Sequence, residues 1–142
     1  MTFNIRYGSA EDGPNSWPAR RGLVGDIISR HTPDVLAIQE GLPFQLDDLG
    51  NVLNGYRKLG QHRDGGLEGE FSGLYVNEDQ VRVTRWGEFW LSPTPDSVGK
   101  RGWDAALPRM AVWVDIETRP GGELVRVYGT HFDHRGQQAR LE

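Results

Sequence analysis

Asp34-Val35-Leu36-Ala37-Ile38-Gln39-Glu40 is the stretch from which the fold can be read. Four consecutive apolar residues, bounded by Thr32-Pro33 before and Gln39-Glu40 after, predict a strand buried on both faces. Upstream, Thr2-Phe3-Asn4-Ile5-Arg6 is short and rich in β-formers, and residues 8–18 carry loop chemistry. Leu23, Val24, Ile27 and Ile28 then recur at helical spacing to about His31, with Ser16 as a candidate cap and Pro18 in the first turn. Thr32-Pro33 ends that helix, because proline disfavours a helical residue before it. Strand, helix, strand in this order predicts parallel neighbours joined by a right-handed crossover.

Downstream, Leu46, Leu49 and Leu53 mark a second helix, closed by Asn54-Gly55. Residues 71–76, 81–91, 110–117 and 124–130 are predicted strands. In the third of these Met110, Val112, Val114 and Ile116 alternate with Ala111, Trp113, Asp115 and Glu117, so one face is expected to be buried. Arg119-Pro120-Gly121-Gly122 turns that strand into a hairpin with the next. Residues 136–142 have helical propensity. Trp86, Trp90 and Trp103 are expected to pack, and no function is assigned to His31 or His62.

The 142 residues are 37% hydrophobic and 25% charged, with evenly spaced Gly and Pro, which describes one globular domain over 1–142. No apolar run approaches the roughly 18 residues of a membrane helix. No secretory signal is present in the sequence as written, so the cytoplasm is the default expectation. There is no cysteine, which excludes disulfides and thiolate metal sites. A net charge of −4 weighs against sequence-independent binding of long nucleic acid.

Polar residues collect beside the predicted strands. Asn4 lies near the end of the first and Glu40 ends the buried one. Arg109 opens the hairpin, and His131, Asp133 and His134 follow its second strand. Ligands gather at the carboxyl ends of strands in layered α/β folds. A carboxylate suits Mg²⁺, a guanidinium suits phosphate, and a histidine can transfer protons or stabilise charge. Each residue also has a plain structural reading. Glu40 would be the first solvated loop residue, Asn4 a turn residue, His131 a satisfied structural histidine and Arg109 a surface arginine.

Taken together, Thr2–Arg6, Asp34–Glu40, Gly69-Glu70-Phe71-Ser72, Ala106-Leu107-Pro108-Arg109 and Gly129-Thr130-His131-Phe132-Asp133-His134 resemble the endonuclease/exonuclease/phosphatase family from residue 2 to residue 142. The likeness is closest to bacterial members of unassigned substrate, through Trp-Asp-Ala-Ala-Leu-Pro-Arg at 103–109 and Phe89-Trp90-Leu91-Ser92. The resemblance implies a deoxyribonuclease I-like fold, a four-layer α-β-β-α sandwich. It implies Mg²⁺ or Mn²⁺ on Glu40, with Asn4 at the metal or the scissile phosphate. It makes His131 a catalytic group oriented by Glu70, Arg109 a phosphate contact, and Asp133 a supporting residue. The implied activity is hydrolysis of a phosphoester or phosphodiester, with a phosphorylated small molecule or nucleic acid as substrate. Glu68, Glu70, Asp133 and Glu142 offset the nearby Arg101, Arg109, Arg135 and Arg140, which favours a small phosphoester or phosphodiester over duplex DNA.

The sequence departs from the family in one respect. It lacks the later Gly-Asp-x-Asn and Ser-Asp-His motifs that position and activate water in relatives. The expectation is therefore the N-terminal portion of a longer sandwich. The alternative is a non-catalytic phosphate- or metal-binding module, or an inactive fragment.

Overall fold

The computed structural model describes residues 1–142. β1 (Thr2–Asn4) stops sooner than expected, because the chain turns out at Arg6, whose φ is +61°. α1 (Trp17–His31) has Pro18 in its first turn, where the missing N–H costs nothing. Ser16 stands at the cap position, but its hydroxyl makes no capping bond. Thr32, in the left-handed conformation, ends the helix, and Arg30 and His31 in its last turn complement the helix dipole. Val24 and Ile28 face inward, whereas Leu23 is 63% exposed, so the buried stripe is narrower than the periodicity implied.

β2 (Val35–Gly41) pairs in parallel with β1, Phe3 opposite Ile38. It is buried on both faces. Leu36 and Ile38 join a cluster with Trp17, Val24 and Ile28 of α1, while Ala37 joins a second cluster on the opposite side. α2 (Pro43–Asp48) is only six residues long. Leu46, Leu49 and Leu53 are all buried as expected, but the last two come from turns that run on to Gly55, at φ +87°.

A strand that the sequence did not signal follows: β3 (Tyr56–Leu59), paired with β4 (Phe71–Asn77). β4 also pairs antiparallel with β2, giving a sheet of order β1-β2-β4-β3. The second sheet is an antiparallel meander of β5 (Val81–Trp90), β6 (Met110–Thr118) and β7 (Leu124–Thr130). Val112, Val114 and Ile116 of β6 meet Leu74 and Val76 of β4, and this contact is the core between the sheets. Of the three tryptophans expected to pack, Trp90 does so, whereas Trp86 and Trp103 are exposed.

The chain thus forms helices on a sheet on a sheet, three layers of the expected deoxyribonuclease I-like sandwich. α3 (Gln138–Leu141) adds one turn, its amides Gln138 and Ala139 held by the Asp104 carboxylate. This topology gathers particular residues at one end. The last residues of β2 lie beside the first of β4 (Gly41 opposite Phe71), and the last of β7 beside the first of β6 (Thr130 opposite Ala111). Asn4 ends β1, Glu40 is the last but one residue of β2 and not its last as expected, Glu70 and Arg109 precede β4 and β6, and His131 follows β7, so all five meet at one rim of the sandwich.

Candidate functional site

Glu40 is aimed by a local irregularity. The β2–β4 register shifts between Ile38 and Gly41, and Glu40 takes φ +64°, a conformation that costs a side-chain-bearing residue free energy. Such strain persists where the surroundings fix it. Here Asn4 Nδ2 donates to Glu40 Oε1 at 2.7 Å, and the Tyr7 amide donates to Oε2 at 2.8 Å. The Arg6 amide in turn donates to Asn4 Oδ1 at 2.9 Å. Burial alone would raise the Glu40 pKa, but the Asn4 and Tyr7 hydrogen bonds outweigh it and hold the carboxylate below its ordinary value.

The loop that delivers the Tyr7 amide is fixed from beneath. The fully buried Gln45 amide donates to Arg6 O and accepts from the Gly8 and Leu42 amides. The Arg20 guanidinium donates to the carbonyls of Ile5, Arg6 and Asn15. Every polar atom of Gln45 is thereby satisfied, so a buried amide rigidifies this loop without a desolvation penalty.

A cleft of about 340 Å³ opens beside Glu40, and Arg63, Glu70, Arg109, His131 and His134 also line it. His131 Nε2 lies 3.9 Å from Glu40 Oε1. Burial first, and then the positive charge of Arg109, lower the His131 pKa, with Glu40 opposing, so the imidazole is neutral at pH 7. Arg109 is only 5% exposed, which overturns the surface reading. Its Nε donates to Asp133 Oδ2 at 3.3 Å, and an Nη2 contact reaches His134 Nδ1 at 3.3 Å.

Asp133 does not face the cleft. Its buried carboxylate accepts from the amides of Gly136 (2.7 Å), Arg135 (2.9 Å) and Leu107 (3.3 Å) as well as from Arg109. Burial works against the charge, yet these donors hold the pKa well below the usual carboxylate range. Asp133 therefore braces Arg109 and ties the end of β7 to the loop before β6.

Glu70 departs from expectation. It does not orient His131; its Oε2 is taken by Arg63 Nη1. The carboxylate within reach of His131 is that of Glu40. Burial raises the Glu70 pKa, and Arg63 opposes the rise. Arg63, with Tyr7, is what reading the sequence missed. Arg63 lies between β3 and β4, seven residues before Glu70, in a segment with no periodicity to flag it. It is buried, its carbonyl accepts from Trp90 Nε1 at 2.7 Å, and its Nε makes no hydrogen bond, lying 3.6 Å from Asp64 Oδ2. The unpartnered Ser72 hydroxyl lines the same recess as Arg63, Glu70, Arg109 and His131.

No group of three or more His, Cys, Asp or Glu side chains is placed to hold a metal ion. Mg²⁺ needs no such group, since it takes one or two carboxylates and keeps several waters. An ionised Glu40, fixed by two hydrogen bonds and bordering an open cleft, matches that requirement.

The sequence profile of the endonuclease/exonuclease/phosphatase family matches residues 1–140. None of the curated proteins matches in sequence. Among solved structures, the chain is similar to an endonuclease/exonuclease/phosphatase from Bacteroides vulgatus, at 39% identity and TM-score 0.90, covering 98% of this chain and 54% of that one. It is similar to the mannosyl-6-phosphatase of Bacteroides thetaiotaomicron, at 33% identity and TM-score 0.89, covering 99% and 53%. The human nocturnin catalytic domain shares the fold, at 16% identity and TM-score 0.72, covering 98% and 51%. The chain spans about half the length of each of these structures.

Proposed function

The chain belongs to the endonuclease/exonuclease/phosphatase family, and on that premise we propose that the protein hydrolyses a phosphoester of a small molecule with the help of Mg²⁺ or Mn²⁺. The observation that carries this reading is the convergence of an ionised carboxylate, two buried guanidinium groups and a neutral imidazole on one cleft. Carboxylate alone would repel a phosphate, and guanidinium alone would only bind it. The combination with a cation site is what phosphoryl transfer needs.

Glu40 would hold the cation, whose role when bound is to neutralise a phosphate oxygen and lower the pKa of coordinated water. Asn4 keeps the Glu40 carboxylate in position. Arg109, braced by Asp133, offers donors to the phosphate, with its Nη1 engaged by no protein group. His131 contributes an N–H toward the phosphate or the leaving oxygen. Glu70 neutralises Arg63 in part, so the cleft stays close to charge balance without substrate. Residues 1–142 act as one unit in this reading.

A sugar phosphate is the favoured substrate class. The mannosyl-6-phosphatase is 33% identical over 99% of the chain, and the net charge of −4 disfavours long nucleic acid. No helix is long and apolar enough to cross a membrane.

A phosphate- or metal-binding module is the second reading, since binding alone needs only the Arg63 and Arg109 guanidinium groups and the Glu40 carboxylate that line the cleft. Release of phosphate from mannose 6-phosphate, followed with and without Mg²⁺, separates the two. Metal-dependent turnover supports the hydrolase, and binding without turnover supports the module.

A further inference from the structure

A second cavity, of about 740 Å³, adjoins the phosphate cleft, and Leu107 lines both. Asp64, Lys100, Arg101, Trp103 and Asp104 form much of its wall. Trp103 is 38% exposed. It also takes φ +49°, a conformation that bulky residues avoid.

The surroundings impose that conformation. On one side, Gly102 packs so tightly that a Cβ there would lie 2.3 Å from Leu91 O. On the other, the Asp104 carboxylate is fixed by the Gln138 and Ala139 amides. The Ala105 amide closes the turn onto Gly102 O at 3.0 Å, and Arg101 Nη1 reaches Ala106 O at 3.3 Å. The fold thus holds an indole at a rigid, strained and solvent-facing position beside the cleft. Strain of this kind collects at ligand sites.

We propose that this cavity holds the hexose ring of a sugar 6-phosphate whose phosphate occupies the Glu40–Arg109 cleft, an inference that rests on the phosphoesterase reading above. A pyranose presents an apolar C–H face and a rim of hydroxyls. The indole of Trp103 matches the face. The exposed Lys100 ammonium, which forms no ion pair, is a donor for the rim, and the Asp64 carboxylate is an acceptor. The wall is mostly polar, with Trp103 as its single aromatic face, a make-up that suits a hydroxyl-rich ring more than an apolar ligand. The order of the two cavities places the scissile ester at their junction near Leu107.

The test is calorimetric binding in the presence of Mg²⁺, comparing mannose 6-phosphate, methyl phosphate and adenosine 5′-monophosphate. Mannose 6-phosphate is expected to bind about tenfold more tightly than methyl phosphate. Trp103→Ala removes that advantage and leaves methyl phosphate affinity unchanged, while Trp103→Phe keeps most of it. Lys100→Ala, at an exposed side chain with no fold role, reduces the advantage and serves if Trp103→Ala does not fold. Equal affinity for the two phosphates, an advantage that survives both Trp103→Ala and Lys100→Ala, or tighter binding of the nucleotide overturns the subsite alone. Failure of methyl phosphate and mannose 6-phosphate to bind overturns the phosphoester reading, and the subsite with it.

Discussion

Asn4 and Glu40, 36 residues apart in sequence, are joined by a 2.7 Å hydrogen bond at the carboxyl ends of two parallel strands. The bond needs the register shift after Ile38, which turns Glu40 out of the ladder toward its neighbour. A strained backbone, a strand pairing and a side-chain amide together set the direction of one carboxylate. The properties of the cleft follow from that direction.

Glu40→Gln keeps the shape and removes the charge. Metal-dependent turnover should fall by on the order of 100-fold, the usual consequence of losing one preorganised electrostatic group. Steady-state phosphate release at saturating Mg²⁺ is the check, and near-wild-type turnover there would sink the assignment of Glu40 to the cation.

Asn4→Ala leaves the charge and frees the carboxylate. The expected result is a metal affinity about 10–100-fold weaker, as for other groups that orient a ligand residue. Turnover at saturating Mg²⁺ should change less. A Mg²⁺ titration of activity distinguishes this from a general loss of fold, which would lower the plateau without shifting the midpoint.

Asp133→Asn sets an amide against donors that require an acceptor, and it leaves Arg109 buried without its partner charge. Urea denaturation should show a loss of about 3–5 kcal/mol. The pH dependence follows from the depressed folded-state pKa of Asp133. The unfolded chain takes up the proton more readily than the folded one. The stabilisation is therefore complete above the ordinary carboxylate value, about 3.9, and is lost as pH falls from there through the lower folded value. Wild type and variant should converge in stability in acid, and a gap that persists there would refute the ion-pair account.

Gly102→Ala tests the loop that carries Trp103. Its new Cβ would meet the Leu91 carbonyl at 2.3 Å, and backbone cannot step aside cheaply. A loss of about 1–3 kcal/mol, typical of overpacking, is expected in thermal unfolding. Unchanged stability would mean that the loop is not packed as tightly as the geometry requires.

Much of this was legible in residue order. The short apolar run Val35–Ile38, bounded by turn residues, reads as a strand covered on both faces, and Leu36, Ala37 and Ile38 are buried in that way. The alternation in Met110–Glu117 assigned the inward face of β6 correctly. Leu46, Leu49 and Leu53 were recognised as buried although only the first is helical, because burial tolerates turns that helix periodicity does not. β3 stayed hidden because Tyr56-Arg57-Lys58-Leu59 has two polar residues in four and becomes a strand only by pairing with β4.

Sequence alone brought out the polar residues at or beside strand ends, since hydrophobic patterning marks where strands stop to within a residue or two. Asn4, Glu40, Arg109 and His131 were all found that way. Tertiary structure decided what those residues touch. The bulge that aims Glu40, the burial of Arg109 on Asp133, the capture of Glu70 by Arg63 and the exposure of Trp103 all depend on segments distant in sequence. Side-chain periodicity reports which face of its own element a residue occupies. It carries no information about the partner that the other sheet or loop brings to that face.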